Sequence, residues 1–303
     1  MMNSLPVTGG LRRRSMLGFT LVELMVSVTI GLILLLFLSS LYFNSRSSSR
    51  LNDDNSRLQE DGRYALGLIG RNMMQAGFGN MQTGNTTDFP PAAYSSLKGL
   101  MGCTYGFAMP VTVPPTCAAV PVPAPASVGP SAFATSYTSE PYSDATNISG
   151  AGTDCSGNQV TGATSTQGAL VINSFYVDAN TLFCKGNAGA ATPQPLLNNV
   201  DNMVVTYGID TGNQYVPLQS TTDATIAGAA DNPNGNFKVG WDRVVTATVC
   251  LETHSTNSVV TGATGQTYFK CDGTQVTAPD RLLHTTMTRV FTLRNNATPS
   301  LLN

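Results

Sequence analysis

Charge is the scarcest property of this sequence. Asp, Glu, Lys and Arg supply 11% of its 303 residues, and Gly, Ser, Thr, Asn and Ala fill the gaps. A polar but weakly charged composition of this kind is typical of chains that work outside the cytoplasm. Histidine is scarcer still: His254 and His284 stand in no metal-ligand spacing, and neither has a Ser and an acid beside it in a hydrolase motif. There is no Cys-x-x-Cys and no Gly-rich phosphate loop ending in Lys-Ser or Lys-Thr. Asp231-Asn232-Pro233-Asn234-Gly235-Asn236 faintly resembles a calcium loop, but Pro233 and Gly235 remove two expected oxygen-bearing side chains. A turn is the expectation there. Trp241, the single tryptophan, precedes a strand-like run and reads as packing. The expectation is a protein that is not an enzyme and uses no cofactor or metal.

Charge is missing altogether from Leu24 to Phe43. That run is long enough to cross a bilayer as a helix, which takes about 20 apolar residues. Arg12, Arg13 and Arg14 precede it and should stay cytoplasmic, which places everything after Phe43 on the other side. Glu23 sits near the start of the run. A carboxylate within a spanning helix costs on the order of 2.5–3.5 kcal/mol on insertion scales, so it needs a partner. Nothing nearby in the helix can neutralise it, which leaves a neighbouring chain. A secretory signal peptide has a shorter core with a small-residue cleavage site after it. A plain anchor fits the length but leaves Glu23 unexplained.

The residues around Glu23 carry a resemblance. Gly18-Phe19-Thr20-Leu21-Val22-Glu23 is similar to the processing motif of type IV prepilins and type II secretion pseudopilins. The resemblance implies that a prepilin peptidase cuts between Gly18 and Phe19 and methylates the new N-terminus at Phe19. It also implies that Glu23, fifth in the mature chain, neutralises the N-terminal amine of an adjoining subunit. Loss of residues 1–18 removes three arginines and no acid, leaving 13 Lys+Arg against 18 Asp+Glu, a net of −5. A surface that is basic overall, of the kind that grips nucleic acid, is not expected.

Past the polar exit at residues 44–50, Leu51, Leu58, Ala65, Leu66, Ile69, Met73 and Ala76 recur at helical spacing. Asp53 and Arg57 are placed for an i,i+4 pair. Gly62, Gly67 and Gly70 weaken the helix but allow close packing against a sheet. Gly77 should cap it. Gly62-Arg63-Tyr64-Ala65-Leu66 and Ala76-Gly77-Phe78-Gly79 look like PilW-type minor pilins, as do Val205-Thr206-Tyr207-Gly208-Ile209-Asp210 and the closing Arg289-Val290-Phe291-Thr292-Leu293-Arg294. The resemblance spans most of the chain outside 80–166.

Residues 80–166 are the least regular region. Pro110, Pro114, Pro115, Pro121, Pro123, Pro125 and Pro130 break long helices and central strands. Val111–Val113 and Ala118–Val120 are at best short edge strands, and the whole region is expected to be a surface excursion. Strands are expected at 169–177, returning as a hairpin at 181–184 after Asp178-Ala179-Asn180, and then at 200–209, 243–251, 267–271 and 286–294. Six cysteines follow the membrane segment: Cys103, Cys117, Cys155, Cys184, Cys250 and Cys271. An even number on the oxidising side suggests disulfides. Connectivity is open from sequence. Local pairing favours Cys103–Cys117, Cys155–Cys184, and Cys250–Cys271 brought together by a hairpin.

The expected architecture is therefore α+β and pilin-like: a leader at 1–18, an N-terminal helix at 19–79 that is transmembrane over 19–43, and a head at 80–303. The helix packs on an antiparallel sheet, and 167–303 is the β-rich part of the head. The resemblance implies a minor pilin that primes or caps a type IV pilus, with other minor pilins, the major pilin and the inner membrane as partners. Its head would be periplasmic before assembly and at the pilus, at its tip, afterwards. The alternatives are a minor pseudopilin of a type II secretion system, or a tip subunit that binds DNA or surfaces.

Overall fold

The computed structural model describes residues 18, 20–79, 99–119, 130–139, 152–160, 168–189, 192–209, 219–221, 240–260 and 265–295. The leader up to residue 17, Phe19, the prolines of 121–125 and the Asp231–Asn236 turn lie outside them. The chain forms two units, Met1–Ser49 and Arg50–Asn303.

In the first unit the described element is the opening of helix α1, which spans Leu21–Gln75. Its side chains from Leu21 to Phe43 are apolar on every face and exposed, and its hydropathy is that of a membrane span. Several of the hydroxyls in this run bond back to the helix. The hydroxyls of Ser27, Thr29 and Ser40 donate to the carbonyls of Leu24, Val26 and Phe37 at 2.8–2.9 Å. In a medium that offers no hydrogen bonds, such closure removes the cost of each hydroxyl.

In the second unit the remainder of α1 becomes amphipathic. Leu58, Ala65, Leu66, Ile69, Met73 and Ala76 are buried. Among the described residues no ion pair joins Asp53 to Arg57. Such exposed pairs contribute little against water. The helix ends as expected: Gly77 adopts φ +75°, and the N–H of Phe78 bonds back to Gln75. The chain then enters the sheet, with Gly77 N–H donating to Ser136 O at 2.9 Å and Thr138 N–H to Phe78 O at 2.8 Å.

One sheet is an antiparallel meander in the order β1 (Leu100–Cys103), β2 (Ala132–Thr138), β3 (Leu170–Asp178), β4 (Thr181–Gly186) and β5 (Gln194–Asn198). Strand β3 is buried on both faces from Val171 to Tyr176, which is why it reads as a near-continuous apolar run. It turns into β4 through Ala179 and Asn180, at φ +44° and +58°, the two-residue loop whose twist suits a hairpin. The second sheet has the order β11 (Leu282–Thr292), β8 (Val244–Ser258), β6 (Val200–Ile209) and β7 (Gln219–Thr221). Strands β9 (Thr267–Phe269) and β10 (Gln275–Thr277) form a separate hairpin. The α1 residues Ala65, Ile69 and Met73, Phe133 and Phe175 of the first sheet, and Met203, Leu251 and Phe291 of the second share one core. Fully burying side chains of this size is worth about 1.5–3 kcal/mol each. Trp241, in a short 3-10 turn before β8, packs edge-on to Tyr207 at 4.9 Å, the packing role expected of it.

Three expectations are corrected. The 80–166 region is not merely a surface excursion. It supplies β1 and β2, with β2 inside the sheet between β1 and β3 and Phe133 fully buried and stacked on Phe175. The signal was weak because Ala, Ser and Thr dominate β2 and Pro130 precedes it; burial by neighbours decides strand formation there. Residues 111–113 form no strand, and the expected 118–120 piece runs past the described residues. Phe107 and Val111 instead bury against the far face of the first sheet, beside Ile172 and Tyr176. Last, Cys250 and Cys271 are not on paired strands: β8 pairs with β6 and β11, and Cys271 lies in the β9–β10 turn.

Candidate functional site

The helix start is set by Thr20. Its Oγ1 accepts the N–H of Glu23 at 3.2 Å and its carbonyl accepts the N–H of Leu24 at 3.2 Å, so Thr20 is the N-cap. Glu23 then falls in the first turn, where the helix dipole favours a negative charge. Its side chain is exposed, and among the described residues none bonds to the carboxylate. Gly18 is exposed too, and a Cβ built there meets nothing within 4 Å. Among the described residues, both Gly18 and Glu23 therefore stand open on their own chain. The apolar exposed run that follows supplies the surface for lipid or for other helices of its kind.

Three disulfides staple the head. They join Cys103 to Cys117, Cys155 to Cys184, and Cys250 to Cys271, with Cα separations of 5.3, 6.2 and 5.8 Å. These are the pairs that locality favoured, although the third closes across two separate β structures. The first ties the proline-rich loop to β1. The second ties the 152–160 loop to β4. That loop is further held by Asp154, whose buried carboxylate accepts the N–H groups of Ser156, Asn158 and Ala188 at 3.0–3.1 Å.

Sequence spacing gave no reason to connect the two histidines, yet the fold brings them together. Antiparallel pairing of β8 with β11 sets His254 opposite His284. Asp201, from β6, reaches both: Oδ1 lies 2.8 Å from His254 Nδ1 and Oδ2 lies 3.2 Å from His284 Nδ1. His284 Nε2 meets Asp280 Oδ1 at 3.0 Å, and Tyr268 stacks on the His284 ring at 4.8 Å. Only the strand order β6–β8–β11 reveals this cluster. Among the described residues no group of His, Cys, Asp and Glu has the geometry to hold a metal ion.

Comparison with known proteins agrees with both ends of the chain. Residues 13–39 match the family described as the prokaryotic N-terminal methylation motif. Residues 163–295 match the family described as type IV pilus-assembly protein W. No curated protein matches the chain. Among solved structures, a type IV-like pilin from Thermus thermophilus is similar at 12% identity and a TM-score of 0.39, over 80% of this chain and 99% of that one.

Proposed function

Because the chain belongs to the type IV pilin-like proteins, in the PilW-type minor pilin family, we propose that it helps to prime assembly of a type IV pilus or to cap its tip. The observation that carries this reading is the division of tasks along α1. Up to Phe43 the helix is exposed and apolar all round, and from Leu58 one face is built into the core of the head. One element therefore serves as membrane anchor, as assembly surface and as the spine of the head.

In this reading a prepilin peptidase cuts after Gly18 and methylates Phe19. Glu23 meets the N-terminal amine of an adjoining subunit, which supplies the partner that a carboxylate in a bilayer needs. The head waits on the periplasmic side of the inner membrane and moves to the pilus tip on assembly. Other minor pilins and the major pilin are its neighbours. A head of 224 residues after Gly79, with long connecting segments, suits a position with no subunit above it better than a uniformly repeating one.

The test is deletion in a strain that cannot retract pili, with surface piliation, twitching and protein secretion scored together. A priming subunit predicts sparse filaments made of the major pilin. Purified filaments composed of this chain along their length would refute the minor-pilin role. A loss of secretion with piliation intact would assign the protein to a type II secretion system.

A further inference from the structure

Strand β11 lies at one end of the second sheet, and its register with β8 is unbroken from His284 to Thr292. Two bonds fix which of its backbone groups face β8. Leu293 N–H donates to Val245 O at 2.8 Å, and Leu283 N–H donates to Ser255 Oγ at 2.9 Å. Along an antiparallel strand the bonding direction alternates from residue to residue. The odd positions of β11 therefore point to β8 and the even ones point away. His284 follows the same rule, since its N–H leaves the ladder for Gln266 Oε1 at 2.8 Å. The N–H and C=O groups of Thr286, Thr288, Val290 and Thr292 thus face outward, and among the described residues none has a partner there.

The other edges of the two large sheets are guarded. Strands β1 and β7 are four and three residues long, and β5 carries Pro195 and a break in its register with β4. Short strands, prolines and bulges are the ordinary protection of a sheet edge. From His284 to Thr292, β11 has no proline, glycine or lysine. Its open stretch, 286–292, is about 20 Å long at about 3.4 Å per residue. Thr288, Arg289, Val290 and Thr292 are exposed there, Val290 by 60%. The edge is also cationic. Arg281, Arg289 and Arg294 lie on or beside it, all exposed, and no acid falls between them in the chain. Among the described residues none of the three forms an ion pair, and Arg289 rests over the Phe291 ring at 5.5 Å.

We propose that the outer edge of β11 over 286–292 receives an extended, acidic segment of another protein, which adds to the second sheet as a new strand. A row of alternating N–H and C=O groups is matched along its length by another extended chain, the mode in which a peptide joins an exposed sheet edge. An acid on that segment answers Arg289, because opposite charges on facing strands attract and like charges repel. A second copy of β11 is a poor occupant, since it brings arginine and no acid to the same edge. This docking does not depend on whether the assembly is a pilus or a secretion system.

Residue-resolved hydrogen exchange on the full-length chain in detergent micelles tests the edge. The probe is a blocked heptapeptide of alternating glutamate, valine and threonine, beside a counterpart with lysine in place of glutamate. In the free protein the amides of Met287, Arg289 and Phe291 should be protected, and those of Thr288, Val290 and Thr292 should exchange fast. Saturating acidic peptide should slow the second set about tenfold, the scale of one gained hydrogen bond, and leave β1 and β5 unchanged. The lysine peptide should not. Val290→Pro removes one outward N–H and no bond to β8, a change that a sheet edge tolerates, and should abolish protection of Thr288 and Thr292 by the peptide. Arg289→Glu should bind the acidic peptide about tenfold more weakly, the scale of turning one cross-strand attraction into a repulsion, and should gain affinity for the lysine peptide. That exposed charge swap keeps the test if Val290→Pro does not fold. A free protein without the alternation, no protection by the acidic peptide, or equal protection by both peptides overturns the proposal. So does binding that survives in folded Val290→Pro or is unchanged in Arg289→Glu.

Discussion

Asn72 and Asn173 meet inside the head, with Asn173 Nδ2 donating to Asn72 Oδ1 at 2.6 Å although 101 positions separate them. Both are buried. Asn72 Nδ2 also donates to Leu68 O at 3.0 Å, and Asn173 Oδ1 accepts the N–H of Cys155 at 2.8 Å. A polar relay thus runs from α1 through β3 to the disulfide-tied loop. Asn72→Ala leaves the Asn173 amide without its partner in the core, a loss of about 1–3 kcal/mol. The double substitution Asn72→Ala with Asn173→Ala should cost less than the sum of the singles, and denaturant titration of all three variants measures the difference. Additive losses would show that the pair does not act as a unit.

The glycines of α1 at 62, 67 and 70 should respond differently to alanine. A Cβ at Gly70 would lie 2.5 Å from the Phe291 ring, and one at Gly62 would strike the end of the Met287 side chain, while Gly67 meets nothing within 4 Å. Gly67→Ala should stabilise the head by about 0.5–1 kcal/mol through helix propensity. Gly70→Ala should destabilise it by about 1–3 kcal/mol because a rigid ring must move. Gly62→Ala should fall between them, since the methionine tip can rotate away. Thermal melts followed by circular dichroism rank the three.

Ala179 holds a left-handed conformation in the β3–β4 turn that suits glycine or asparagine better. Ala179→Gly should raise stability by roughly 1 kcal/mol, the cost of placing an L side chain there. An unchanged or lower denaturation midpoint would contradict this.

The proposed assembly role makes two separable predictions at the N-terminus. Gly18→Val should leave a full-length precursor, and mass spectrometry of the wild type should find Phe19 as the methylated first residue. Glu23→Ala should be processed and membrane-stable but should co-purify poorly with other pilins, because the carboxylate has no partner among the described residues of its own chain. Wild-type recovery with those partners would remove Glu23 from assembly.

Local patterns were the readable part of this fold. Apolar spacing gave the helix, Gly77 its end, Asp178-Ala179-Asn180 the hairpin, and short separations the disulfide pairs. What escaped was decided by partners distant in sequence. Strand β2 owes its burial to β1, β3 and the core around Phe175, not to its own small residues. Strand β5 carries Pro195, which a sheet tolerates only at an edge, and it is an edge. The glycines differ because Met287 and Phe291, more than 200 positions away, pack over two of them and not over the third. The His254–Asp201–His284 cluster is a product of strand order alone.

The end of α1 is tied to both sheets at one place. Gly77 N–H bonds to Ser136 in β2, and the Asn295 side chain, just beyond β11, donates to Ala76 O at 3.0 Å. In the proposed assembly role, where the helix pulls on the head, this serves as a mechanical anchorage. Tension along α1 arrives at a node shared by two sheets, so neither can be peeled away while the other holds. In that role a pull on the stem is shared between β2 and the segment that follows β11.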